Sequence, residues 1–494
     1  MSVIDFSQLL RLVAPEAILV IAALLVLTID LMVIRKSTIR SRFLAGVSLA
    51  SIGCAASIYW IGTASRPATF LGGMLVTMPL TNLVQIALIA LAILTLWITA
   101  DSTFTEHVGE YILLVLFATS GMMFLVASQN ILLIFIALEL LSLSLYALAA
   151  FNKKSPRSAE GGLKYFLFGG MSAAFLLFGF SLFYGMSGST NLAEIAIAVG
   201  GSPLDPLALV AIVMTAAGLG FKVAAVPFHL WAPDVYEGAP AQSAAFIASS
   251  SKVASFFILA QVILIGLAGA GGHAGWSSHR PGWLPVIEVM AAASMVLGNL
   301  AAIVQTSVRR LLAYSAIGHA GYMLLGILPQ SRQGLSALLF YVTTYALTTI
   351  GAFAVVSVVE EKCGEDKLAN FAGLSRRAPL LSICMMIFLL SLAGVPPLVG
   401  FFGKFYLFAS ALSGGSGMRD MLWLVVLAIA MSAVSLYYYL QVLKRIYVAT
   451  PIEGSGAIRV PGITQFVTCL LAVLVLALGC APQLLLALIQ GAMQ

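Results

Sequence analysis

The chain has 494 residues, of which 61% are hydrophobic and only 9% charged, too little polar surface to cover a water-soluble globule of that length. Its formal charge of +6 would suggest nucleic acid in a soluble protein, but the basic residues sit mostly in short loops between apolar runs, where they act as topology signals. Cys54, Cys363, Cys384, Cys469 and Cys480 are scattered, odd in number and without Cys-x-x-Cys spacing, which argues against disulfides, zinc or an iron-sulfur cluster. There is no Gly-x-x-x-x-Gly-Lys-Ser/Thr loop, and nucleotide binding has no support in the sequence.

Apolar runs of about 20 residues, the length that crosses a bilayer, recur about 14 times along the chain. They lie near 12–34, 42–63, 78–99, 110–127, 130–150, 161–185, 206–228, 240–265, 284–304, 311–329, 334–359, 379–412, 420–443 and 462–490. The first is longer than a signal-peptide core, lacks a cleavage site and precedes Arg35 and Lys36, so it is expected to remain as a span. The run 379–412 is too long for one crossing and contains Gly394-Val-Pro396-Pro397, which predicts a broken helix. The fold class expected is therefore an all-α polytopic membrane protein.

Loops after odd-numbered spans carry the basic clusters, among them Arg35/Lys36, Lys153/Lys154, Arg309/Arg310, Arg376/Arg377 and Lys444/Arg445. The opposite loops and the N-terminal tail hold only Arg11, Arg66, Arg280, Arg332 and Arg419. That bias predicts both termini on the non-cytoplasmic side. Spans four to eight (110–265) and nine to thirteen (284–447) form two sets of five, preceded by three spans (1–109) and followed by one (448–494). An odd number per set inverts the second copy in the bilayer, and inverted repeats place their working site near the midplane on broken helices.

Four lysines fall within the spans, and a charge in hydrocarbon marks a functional candidate by default, since it costs about 3 kcal/mol on insertion scales. Lys222 lies in the fourth span of the first set near Gly218, Gly220 and Pro227; Lys404 lies in the fourth span of the second near Pro396, Pro397, Gly400 and Gly403. Glu139, central in its span, would hold its charge best within reach of Lys222, as a switchable pair or as a static ion pair locking two helices. Lys252 follows Ser249-Ser-Ser251 and precedes Ser255, hydroxyls expected to hold water beside it, while the small residues around Lys404 leave room for backbone carbonyls. Lys164 falls close to the cytoplasmic end of its span, where a lysine snorkels as readily as it functions. His229 ends its span and His319 occupies the second span of the second set; each fits a proton relay or an ordinary hydrogen bond. Asp234 and Glu237 read as solvated or capping loop carboxylates; Asp30 and Glu16 receive no role.

Three stretches carry a family resemblance: Gly161-Gly-Leu-Lys164-Tyr-Phe-Leu-Phe-Gly-Gly170, Pro227-Phe-His229-Leu-Trp-Ala-Pro-Asp234-Val-Tyr-Glu237-Gly-Ala-Pro240 and Ala313-Tyr-Ser-Ala-Ile-Gly-His319-Ala-Gly-Tyr322. With them the chain resembles, over nearly its whole length, the antiporter-like membrane subunits of respiratory complex I, in the N-type (ND-two) branch. In sister branches, including a component of multisubunit sodium/proton antiporters, a glutamate usually stands where Lys404 does.

The resemblance implies a proton-translocating subunit of an NADH:quinone oxidoreductase in the bacterial inner membrane, working with other membrane subunits, antiporter-like ones included, and no nucleic acid. It implies no cofactor in this chain, with NADH, flavin, iron-sulfur clusters and quinone in partner subunits. Glu139 and Lys222 would be the coupled pair, Lys164 and Lys252 the connecting relay and Lys404 the terminal proton site. An antiporter component and a proton-inert scaffold are the alternatives. One pKa unit corresponds to about 1.4 kcal/mol and one charge moved across 100 mV to about 2.3 kcal/mol, so shifts of a few units at buried lysines are enough to work against a membrane potential.

Overall fold

The computed structural model describes residues 6–64, 67–200, 204–275, 278–413, 418–451 and 456–494; Arg66, one of the loop cations above, lies outside them. With no water in a bilayer core, each crossing segment must satisfy its own backbone, and the apolar runs do so as helices. In chain order these are α1 (Phe6–Met32), α2 (Ile39–Ala64), α3 (Pro79–Thr99), α4 (Val108–Val126), α5 (Ile131–Ala149), α6 (Pro156–Ser187) and the short α7 (Leu192–Val199). The middle of the chain forms α8 (Pro206–Val223), α9 (Trp231–Gly238), α10 (Ala241–Ala248) and α11 (Ser250–Gln261), the last continued by a π turn over Val262–Gly266. Then come α12 (Trp283–Ile303), α13 (Val308–Leu324), α14 (Arg332–Cys363), α15 (Leu374–Arg377), α16 (Pro379–Ala393), α17 (Val399–Leu412), α18 (Met418–Tyr447), α19 (Gly462–Cys480) and α20 (Gln483–Gly491). Two antiparallel hairpins, Ala68–Phe70 with Leu75–Thr77 and His273–Gly275 with Ser278–Arg280, close the loops before α3 and α12.

Among the described residues twelve helices are long and apolar enough to cross a membrane. The 17-residue α13 and the α16–α17 pair supply the remaining two of the expected fourteen spans. Starts follow local chemistry: Asn130, Ser155, Asp205, Ser307 and Ser331 cap the helices that follow them, each side-chain oxygen accepting from a first-turn N–H. Proline opens α3, α6, α8 and α16, where its missing N–H costs nothing.

Three boundaries differ from the hydropathy reading. The run expected over 206–228 stops at Val223, because Ala224 turns into the left-handed region (φ +58°) and the chain loops to α9, which leaves Lys222 on the last turn of α8. The run over 240–265 divides at Ser249, three residues before Lys252. The last run divides after Cys480, and α20 is a separate short helix. The expected break in 379–412 is present: α16 ends at Gly394 (φ +87°) and α17 begins at Val399. At Gly400 a Cβ would stand 1.9 Å from the Ser391 carbonyl oxygen, so the two halves meet closer than any side chain allows.

The α10–α11 span and α14 run through the middle of the protein: 89% and 83% of their most apolar windows are buried, against 33% for α1. Lys252 on α11 and the tyrosines of α14 thus lie at the centre, with α11 packed against α8 and α14 against α13 and α17.

Candidate functional site

Lys222 is buried, and its ammonium donates to Ser142 Oγ at 2.5 Å and to Tyr146 OH at 3.4 Å. Glu139, Ser142 and Tyr146 are spaced i, i+3, i+7 along α5 and share one helix face. Glu139 makes no hydrogen bond or ion pair with Lys222 but lies within electrostatic reach of it, and its Oε1 is buried without a hydrogen-bond donor. Ser142 hands its own proton back to the Leu138 carbonyl, so its oxygen faces the lysine. The expected carboxylate–lysine pair is therefore an electrostatic neighbourhood with hydroxyls at the point of contact. The sequence reading missed Ser142 and Tyr146, although their spacing from Glu139 is visible in the sequence.

Lys252, 1% exposed, donates to the Ala316 carbonyl of α13 at 2.6 Å and lies 5.5 Å from the centre of the Tyr345 ring. The serines expected to surround it turn elsewhere: Ser249 and Ser251 bond the Ala245 and Ile247 carbonyls of their own span, and Ser250 Oγ is buried without a partner. Polar side chains one turn from a helix carbonyl close on it readily. One turn beyond Ala316, His319 is hydrogen-bonded at both ring nitrogens, Nδ1 to Tyr341 OH at 2.7 Å and Nε2 to Tyr439 OH at 3.1 Å. It lies within electrostatic reach of both Lys252 and Lys404. Lys404 donates to the carbonyls of Leu392 (3.0 Å) and Ala393 (2.9 Å) and to Ser432 Oγ (2.8 Å). Those carbonyls end α16, whose last turn has no intrahelical donors left for them and carries the negative end of the helix dipole. Room for carbonyl approach at Lys404, expected from the small residues, is what the break provides.

Lys164 stands apart from this group. It pairs with Asp234 and Glu160, each at 2.7 Å, on a partly exposed surface. Asp234 and Glu237 are not simply solvated: Arg310 of α13 reaches both, at 2.8 and 3.0 Å, so one cluster ties α6, α9 and α13. Burial pushes the Asp234 carboxyl up, but the hydrogen bonds from Lys164 and Arg310 outweigh it and hold the group below the ordinary carboxylate range. Arg309, read from sequence as a loop cation, is buried, pairs with Glu360 at 2.8 Å and donates to the Tyr236 and Ala239 carbonyls. His229 lies in the loop between α8 and α9 with its Nδ1 buried and unpartnered. Of the acids given no role, Asp30 forms a buried two-point pair with Arg42 at 2.7 and 2.5 Å, and Glu16 accepts from Gln85 at 2.9 Å. Among the described residues no three His, Cys, Asp or Glu side chains are grouped to hold a metal ion.

Lys222, Lys252 and Lys404 are thus buried ammonium groups whose hydrogen bonds go to hydroxyls and carbonyls. A neutral oxygen cradle tolerates both the charged and the uncharged amine, whereas a carboxylate partner would fix the charge. The arrangement suits groups that take up and release protons.

A sequence profile described as NADH:quinone oxidoreductase/Mrp antiporter, TM, matches residues 128–434. The chain is 52% identical to NADH-quinone oxidoreductase subunit N 2 of Acidobacterium capsulatum over 98% of this chain and 99% of that one. Its fold matches a chain of respiratory complex I from Thermus thermophilus, solved with bound aureothin, with a TM-score of 0.77 and 34% identity over 96% of this chain and 98% of that one. A chain of the Mrp complex from Dietzia sp. DQ12-45-1b has the same fold (TM-score 0.81, 98% of this chain and 97% of that one) at 21% identity.

Proposed function

The chain belongs to the NADH:quinone oxidoreductase/Mrp antiporter family of membrane proteins, and from that membership we propose a proton path through Glu139, Lys222, Lys252, His319 and Lys404. It is a multi-pass, proton-translocating membrane subunit of a bacterial NADH-quinone oxidoreductase, working beside other antiporter-like membrane subunits. Quinone reduction elsewhere in the complex alters charge or hydration beside Glu139; Lys222 gains or loses a proton in response, and the change passes through Lys252 and His319 to Lys404. NADH, flavin, iron-sulfur clusters and quinone belong to partner chains on this reading. The two five-helix repeats, 110–265 and 284–447, lie inverted to one another, and both termini face away from the cytoplasm.

The observation that carries the reading is the neutral cradle around each buried lysine. A scaffold needs no unpaired ammonium in hydrocarbon, where each costs several kcal/mol unless compensated, by order of magnitude. Lys164, paired to two carboxylates at the surface, is a strut in this account and not a link of the path. His229 stays outside it for want of a partner that leads to a lysine.

The test is NADH-driven acidification of inverted membrane vesicles bearing Lys222→Ala, normalised to assembled complex. Pumping is expected to be lost, with or without quinone reduction. Unchanged pumping at normal assembly would sink the path and leave a scaffold; sodium-dependent exchange without an electron donor would favour an antiporter.

A further inference from the structure

Around His319 the structure holds a connected hydrogen-bond network. Tyr341 and Tyr439 both turn their hydroxyls to the imidazole, and Tyr439 also bonds Ser315. Tyr438 adjoins Tyr439 and Ser315 and donates to Asn299 at 3.0 Å, which in turn donates to Tyr322 OH at 3.0 Å. The residues facing the ring are Tyr322 of α13, Tyr341 and Tyr345 of α14, Tyr439 of α18 and, across a small cavity, Ser391 and Leu392 of α16, with the charges of Lys252 (α11) and Lys404 (α17) within electrostatic reach.

A neutral imidazole has one N–H and one lone pair. With phenols on both nitrogens, one phenol must donate and the other accept, and the second tautomer reverses both bonds. We propose that Tyr341 and Tyr439 are relay phenols on the two nitrogens of His319, one handing a proton to the ring and the other taking one from it, between Lys252 and Lys404. This rests on the proton-path reading above.

One passage balances as follows. A proton arrives on the Tyr439 oxygen while that phenol gives its own to Nε2; Nδ1–H gives its proton to the Tyr341 oxygen, and Tyr341 releases its hydroxyl proton onward. One N–H bond forms and one breaks, so the ring stays uncharged but ends as the other tautomer, and Nε2 must give up its proton and Nδ1 regain one before the next passage. On the exit side a cavity of 10 Å³ is lined by His319, Tyr341, Ser391 and Leu392, among others. That is room for about one water between the Tyr341 phenol and the residue whose carbonyl holds Lys404.

The experiment measures protons pumped per quinone reduced in inverted vesicles carrying the whole complex, normalised to assembly, for Tyr341→Phe, Tyr439→Phe and, as a buried phenol on α4 bonded, among the described residues, only to Ser243, Tyr111→Phe. A positioned proton carrier contributes about 10²–10⁴-fold to its step, so either of the first two is expected to remove this chain's share of pumping, and Tyr111→Phe to leave it in place. Parental pumping in Tyr341→Phe or Tyr439→Phe, in vesicles where Lys222→Ala abolishes it, overturns the phenol relay and spares the path. Equal loss in Tyr111→Phe also overturns it, because burial alone would then explain the effect. Parental pumping in all of them, Lys222→Ala included, overturns both readings. Should a Phe variant not assemble, 3-fluorotyrosine at the same position keeps the ring and changes the acidity of the phenol; a pumping rate that does not move overturns the phenol relay.

Discussion

Lys222 and Lys404 both sit beside a break in their span, yet they are held differently. Lys222 ends α8 and leans on side chains of another helix, Ser142 and Tyr146 of α5, with Glu139 on the same face. Lys404 follows its break and leans mainly on main chain, the last carbonyls of α16. Side chains on a separate helix can shift with it, whereas a helix terminus has a fixed dipole. On the proposed proton path, Lys222 is then the adjustable end and Lys404 the constant one.

Substitutions at the two cradles sharpen that contrast. The largest effect is expected from Gly400→Ala, whose Cβ would lie 1.9 Å from the Ser391 oxygen; forcing α16 and α17 apart should cost about 3 kcal/mol, the upper end of the usual range for overpacking with backbone displacement. Assembled complex measured by native electrophoresis should fall accordingly, and normal assembly would mean the break is pliable. Next comes Ser142→Ala. Loss of a hydrogen bond to a buried charge costs about 1.5–3 kcal/mol, so the pumping rate should drop about tenfold or more at unchanged assembly. Ser432→Ala is the matched change at Lys404 and should do far less, since the Leu392 and Ala393 carbonyls remain. Equal losses from the two serine variants would break the comparison.

The lysines and Glu139 were legible because a charge inside an apolar run stands out, and the breaks because Gly and Pro punctuate it. What holds the lysines was not. Ser142 and Tyr146 share Glu139's face at readable spacing, but hydroxyls in a membrane helix ordinarily bond their own backbone, as Ser249 and Ser251 do, and nothing local separates the two cases. Tyr341 and Tyr439 come to His319 from helices that only tertiary packing brings together. Asp234 likewise passed for a solvated loop acid, because its partners Lys164 and Arg310 lie 70 and 76 residues away along the chain.

That surface cluster gives the smallest prediction and a control for the buried sites. Asp234 bonds Lys164 at 2.7 Å and Arg310 at 2.8 Å, with side chains that remain partly in water. Exposed pairs contribute about 0.2–1 kcal/mol each, so Asp234→Asn should lower the thermal stability of the detergent-solubilised complex slightly and leave pumping per assembled complex unchanged. The folded protein holds this carboxyl below its unfolded value of about 3.9. Its contribution is therefore complete above that pH and is lost as pH falls through the lower folded value. The stability gap between parent and Asp234→Asn should be flat at neutral pH and close on acidification below about pH 4. A variant that pumps poorly at neutral pH while fully assembled would place Lys164 and its partners back on the proton path.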